Sequence, residues 1–141
     1  MNLDDLSDVE VLALTIYGEA RGESIEGQIA VGCVARNRLI VGEEYKDVCL
    51  EDKQFSCWNR DDPNRSVLDE LGQKLFNGED INDPILKQCM WIAEGVMNKE
   101  LMDITGGAKN YMTTELYHKN IVHWAYKMKV SAVYGKQTFL V

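Results

Sequence analysis

The sequence contains no apolar run near the ~20 residues that a helix needs to cross a bilayer, so a helical membrane span is not expected. Positive charge is scarce. Fifteen Lys and Arg stand against 23 Asp and Glu, giving a formal net charge of −8 and a pI near 4.7. Nucleic-acid binders depend on basic patches that release counterions, so that class is excluded. Four cysteines are present (Cys33, Cys49, Cys57 and Cys89), but no C-x-x-C pair, which argues against structural zinc. Cys33 and Cys89 fall on apolar helix faces, where a small buried hydrophobe is the ordinary role. The only two histidines, His118 and His123, lie five apart and fit no helical ligand motif such as H-E-x-x-H. Neither a metal nor a cofactor is therefore expected. Internal repeats, low-complexity tracts and linker-like segments are also missing.

The first residues, Met1-Asn2-Leu3-Asp4-Asp5, are acidic and lack the basic start and apolar stretch of a secretion signal. Synthesis in the cytoplasm is the expectation, with the cysteines free in a reducing compartment. At 141 residues, 45% hydrophobic and 27% charged, the chain reads as one globular domain, 1–141, able to bury roughly two-thirds of its unfolded surface.

Helical signals come first. Ser7-Asp8-Val9-Glu10 matches a capping box, and Val9, Leu12, Ala13, Ile16 and Ala20 then recur at helical spacing as one apolar stripe. A second helix is expected over 25–39, capped by Ser24 and rich in small residues. Residues 41–65 read as a polar connection. A third helix, 67–77, carries Leu68, Leu71 and Leu75 and stops at Gly78. The fourth opens at Asp83-Pro84, with Ile85, Cys89, Ile92, Ala93 and Val96 as its buried stripe. Beyond Gly106-Gly107 the pattern turns extended, over 109–113, 130–134 and 137–141, and Gly135-Lys136 suits a two-residue hairpin turn. Helices first and a small antiparallel sheet last make an α+β domain that is mostly helical. Trp91 and Trp124 are expected in the core.

Glu19 stands out chemically. At ~100° per residue it falls beside Leu12 and Ile16, at the edge of the first helix's apolar stripe. A carboxyl held against apolar neighbours is disfavoured as an anion, which suits a general acid acting on a sugar–oxygen bond. Glycoside hydrolysis ordinarily uses two carboxylates, and Glu23, one turn on, is the nearest second candidate. Gln54, Phe55, Ser56 and Trp58 mix hydrogen-bonding and aromatic groups in a loop suited to gripping a sugar. Tyr111 and Thr113 are placed to line the opposite wall.

The block Tyr17-Gly18-Glu19-Ala20-Arg21-Gly22-Glu23, with Glu26-Gly27-Gln28-Ile29-Ala30-Val31 and Asn37-Arg38, resembles the opening of the SleB/CwlJ-type cell-wall hydrolases, the spore-cortex-lytic enzymes and their phage relatives. Lys53-Gln54-Phe55-Ser56-Cys57-Trp58 is similar to that family's central segment. Gly106-Gly107-Ala108, Tyr111, Trp124-Ala125, Gly135 and Phe139 follow in the family's order. The resemblance implies a lysozyme-like fold and a catalytic acid at Glu19. The implied substrate is the glycan strand of peptidoglycan, cut by a monomer without membrane insertion. Three positions depart from the pattern: Met112 where histidine or another polar residue is usual, His123 in place of a proline, and Gln137 in place of a histidine.

With Glu19 as the single acid/base, the resemblance favours a lytic transglycosylase over a muramidase. Wall access would come through a phage lesion or delivery in a particle. Two alternatives stay open: a non-catalytic peptidoglycan-binding or virion module, consistent with the acidic charge, and a zinc amidase using His118, His123 and a cysteine.

Overall fold

The structure, a computed structural model, describes residues 1–119 and 123–141, apart from the side chains of His123 and Tyr126. The described residues form six α-helices and a three-stranded sheet: α1 Asp8–Ala20, α2 Ile25–Arg38, α3 Tyr45–Leu50, α4 Asn64–Phe76, α5 Pro84–Met97, β1 Asn110–Thr113, α6 Thr114–His118, β2 Val130–Tyr134 and β3 Gln137–Leu140. The sheet is antiparallel in the order β1-β3-β2, so the last strand is central. The expected α+β class, helical with a small sheet near the C-terminus, is what the structure shows.

Local chemistry sets the element ends. Ser7 accepts from the Glu10 N–H at 3.2 Å while the Glu10 carboxylate accepts from the Ser7 N–H at 2.9 Å, closing the reciprocal box that starts α1. Asp83 caps α5 by accepting from the Ile85 and Leu86 N–H groups, with Pro84 following at the first helical position. The β2–β3 turn sits at Gly135, φ +55, where a side chain would be strained.

α1 differs from the expected one-sided stripe. Every residue from Val11 to Gly18 is buried, because α2, α3, α4 and α5 all pack around it. It is the central shaft of the domain, and fully burying each Leu or Ile on it contributes about 1.5–3 kcal/mol. The 41–65 region is also more ordered than a polar connection. Tyr45, Val48 and Cys49 of α3 enter the core, and a 3₁₀ turn at Ser56–Trp58 buries Cys57 and Trp58. Three apolar residues move the other way: Ile85 lies 41% exposed, Trp91 57% and Trp124 50%. Ile85 precedes the first inward turn of α5, and Trp91 occupies its outer face. The four cysteines are buried and free. Among the described residues, no helix is long and apolar enough to cross a membrane.

Candidate active site

Glu19 is the penultimate residue of α1, and a polar cleft of about 360 Å³ opens over it. The residue before it decides the geometry. A Cβ on Gly18 would stand 2.8 Å from Cys57 Cβ and from Leu68 Cδ1, so only glycine lets the 56–58 turn lie against α1. That turn is pinned from the other side. The Trp58 indole N–H donates to Thr15 Oγ1 at 2.9 Å, and the Thr15 hydroxyl donates to the Val11 carbonyl. Fixed in this way, the turn directs the Cys57 N–H onto Glu19 Oε2 at 2.9 Å, with the Ser56 hydroxyl at 3.4 Å from the same oxygen.

The other carboxyl oxygen, Oε1, accepts from the Tyr111 hydroxyl, delivered by β1 from 92 residues away. Burial first, and then the adjacent Glu19 charge and hydrogen bond, push the Tyr111 phenol well above its usual range, so it stays a donor. The surround of Glu19 is therefore a ring of donors, in place of the apolar wall expected from the helical wheel. The Cys57 thiol is likewise pushed up by burial and by Glu19, which removes it as a nucleophile.

Arg38, at the end of α2, ties the walls together. Its Nε donates to the Lys109 carbonyl at 2.7 Å, Nη1 donates to the Gln54 carbonyl at 3.2 Å, and its guanidinium lies 4.7 Å from the Phe55 ring centre. Burial lowers its pKa, against the opposing influence of Tyr111 and Glu19. Next to it, the Asn37 amide donates to Asp103 and to the Ala108 carbonyl, fixing the loop that leads into β1. Burial alone would raise the Asp103 carboxyl, but hydrogen bonds from Thr105, Asn37 and Gly107 outweigh it and hold the group below the usual range.

Glu19, Gln54, Ser56, Tyr111 and Thr113 all line this one cleft. Three other anticipated residues do not. Phe55 is 1% exposed and lies beneath Arg38. Trp58 faces a separate hollow of about 610 Å³ bounded by Leu3, Arg60 and Arg65. Glu23 lies past the end of α1, where its Oε1 accepts from the Lys136 N–H of the β2–β3 turn at 3.2 Å. Gly22 breaks the helix, so the one-turn spacing from Glu19 does not bring the two carboxylates into one cleft. Among the described residues, Glu19 is the only acidic group lining it, against Arg38 and Lys53.

Arg38, Lys53, Asn64 and Gln137 complete the polar lining, and Gly18, Met112 and Leu116 supply the rest. Lys53, which opens the Lys53–Trp58 block, reaches the cleft from a left-handed backbone position at φ +65. Met112, one of the departures from the family pattern, is 7% exposed at the cleft edge and packs with Ala125 and Leu140. For the zinc alternative, His118 is exposed at the end of α6, the His123 side chain lies outside the described residues, and no group of three or more metal-ligating residues occurs among the described ones.

Residues 22–140 match the family described as cell wall hydrolase. The chain belongs to the cell wall hydrolase family. The matched region begins after Glu19, so the part assigned to that carboxyl rests on the geometry above. A spore cortex-lytic enzyme of Oceanobacillus iheyensis is 54% identical over 53 residues, 36% of this chain and 19% of that protein. One from Halalkalibacterium halodurans is 33% identical over 85 residues, 52% of this chain and 24% of that protein. The matches thus span about a quarter or less of these curated relatives.

Among solved structures, the catalytic domain of the germination-specific lytic transglycosylase SleB from Bacillus anthracis superposes with a TM-score of 0.64 at 22% identity. The match covers 95% of this chain and 93% of that one. The catalytic domain of the Bacillus cereus SleB protein gives 0.61 at 22% identity, over 95% and 89%. Both share the fold described here.

Proposed function

We propose that residues 1–141 form one catalytic domain that cleaves peptidoglycan glycan strands as a lytic transglycosylase, with Glu19 as the single acid/base. The observation that carries this reading is that, among the described residues, Glu19 is the lone acidic group in a cleft whose other polar lining consists of amides, hydroxyls and two cations. Hydrolysis by the usual two-carboxylate routes needs a second carboxylate to activate water or to form a glycosyl intermediate. The named lytic transglycosylase with the same fold supports the choice.

In the proposed reaction Glu19 first gives its proton to the glycosidic oxygen as the bond from muramic C1 breaks. The muramic 6-hydroxyl then attacks C1, and its proton passes to the Glu19 carboxylate. A 1,6-anhydro ring forms, no water is consumed, and the acid is restored. Tyr111 and the Cys57 N–H orient the carboxyl through both states. The Ser56 hydroxyl can donate to the anion and accept from the acid, so it serves either one. The cations Arg38 and Lys53 line the cleft of an acidic protein, which relieves local repulsion from an anionic wall.

Mass spectrometry of digested sacculi tests the reaction. Released muropeptides should carry 1,6-anhydromuramic ends, one water lighter than hydrolysis products, and the Glu19→Gln protein should release none. Reducing ends throughout would make this a muramidase. Protein that sediments with sacculi but never clears them would be a binding module.

A further inference from the structure

We propose that Gln137 recognises the 2-acetamido group of an amino sugar lying in the cleft, an inference that rests on the glycan-cleaving reading above. Gln137 opens β3 and is held between two strands, opposite Thr113 of β1 and Tyr134 of β2. Its side chain forms part of the cleft wall that also holds Glu19. Its Oε1 is the one buried side-chain polar atom without a hydrogen-bond partner among the described residues.

Three polar residues of the same cleft wall are already engaged. Both Glu19 oxygens are occupied, Thr113 Oγ1 caps α6 by accepting from the Leu116 N–H, and Arg38 is held by two carbonyls. A buried acceptor left without a donor is costly, and native proteins rarely keep one unless something supplies the donor. The terminal torsion of a glutamine is broad and roughly two-fold, so the carboxamide turns from the wall toward a ligand at little cost.

The unpartnered Oε1 calls for a donor, and a secondary amide supplies one: its N–H meets Oε1, while its carbonyl, trans to the N–H, points away from Gln137. Each sugar of a peptidoglycan strand carries one such secondary amide at C2, whose N–H is the donor changed when the acetyl group is removed. Stem-peptide amides share this chemistry, so the test uses strands stripped of peptide.

Binding is measured by calorimetry in the Glu19→Gln background, with peptide-free glycan strands either native or N-deacetylated, for Gln137 and for Gln137→Met. The two changes form a double-mutant cycle in which the charge effect of deacetylation cancels. The cycle should show a coupling of about tenfold in affinity, or ~1.4 kcal/mol. Gln137→Met should melt at or above the parent temperature, since it removes an orphan polar atom. Gln137→Leu repeats the cycle should the methionine variant not fold. Gln137→Glu, which keeps the acceptor, should retain more affinity for native strands than the methionine variant. Coupling below twofold, with native strands still bound, would overturn the role of Gln137 alone. No binding of native strands by the Glu19→Gln protein would overturn the glycan reading itself.

Discussion

Gly18 and Cys57 approach so closely that a methyl group on the glycine would overlap Cys57 Cβ at 2.8 Å. Glu19 owes its best-placed backbone donor to that contact, because the Cys57 N–H and the Glu19 carboxylate lie on the two chains pressed together there. Gly18→Ala should therefore act on stability and activity together. Overpacking of this kind costs about 1–3 kcal/mol, and the neighbours here are the body of Cys57 and the tip of Leu68. Denaturant unfolding should show that loss, and lysis should fall further than the unfolded fraction explains. An alanine variant as active as the parent would show that the contact does not position the acid.

Tyr111→Phe removes the hydroxyl from Glu19 Oε1 while keeping the ring that stacks on Phe139 at 5.5 Å. A hydrogen bond to a charged group contributes about 1.5–3 kcal/mol, so kcat should fall on the order of ten- to a hundredfold with KM little changed. Steady-state release of soluble glycan from sacculi measures both. A change confined to KM would place Tyr111 on the substrate instead of the acid.

Glu23→Gln separates one carboxylate from two. Its contact is with the Lys136 N–H at the hairpin, outside the cleft, so the amide should keep most of the lytic rate. The thermal midpoint should fall only slightly, since an uncharged oxygen can still accept there. Loss of lysis comparable to that of Glu19→Gln would restore the two-carboxylate mechanism.

Alkaline stability follows from the tyrosines. Burial pushes the Tyr17 phenol up, as does its hydrogen bond to Asp83 at 2.7 Å, and burial together with Glu19 pushes Tyr111 up further. The folded protein thus holds these protons more tightly than the unfolded chain, whose phenols titrate near 10. That stabilisation is complete below pH 10 and is lost as pH rises through the folded values. Denaturant midpoints should decline above about pH 10, and Tyr17→Phe should flatten the decline. At the acid end the sign reverses. Burial opposes ionisation of Asp83, but the bond from Tyr17 and the capping N–H groups outweigh it and hold its carboxyl below the ordinary 3.8. Its contribution is present above that value and is lost as pH falls.

The elements that could be read from the sequence are those whose cause is local. Ser7 and Glu10 lie three apart, Asp83 and Pro84 are adjacent, and Gly135 marks its own turn, so each carries its instruction within a few residues. The all-round burial of α1 was not legible, because Val11, Leu14 and Thr15 take their environment from four other helices. The site divides along the same line. Glu19 and Ser56 stand out by residue type and neighbourhood, whereas the pairing of Tyr111 with Glu19 bridges 92 positions that no periodicity connects. Arg38 appears in the sequence only as part of the Asn37-Arg38 pair, and the carbonyls of Gln54 and Lys109 reveal its task. Glu23 could not be placed from spacing: it stands four positions after Glu19, but α1 ends at Ala20, and only the structure shows its contact with the Lys136 N–H.

Arg38 grips Gln54 on one bank and Lys109 on the other, so it acts as a strut whose length sets the width of the channel before any ligand arrives. A strand entering such a preorganised slot immobilises little of the protein, and more of its contact energy survives as affinity. The same rigidity makes the channel a gauge: a thicker polymer would have to snap two hydrogen bonds and unstack a guanidinium before it could reach the acid.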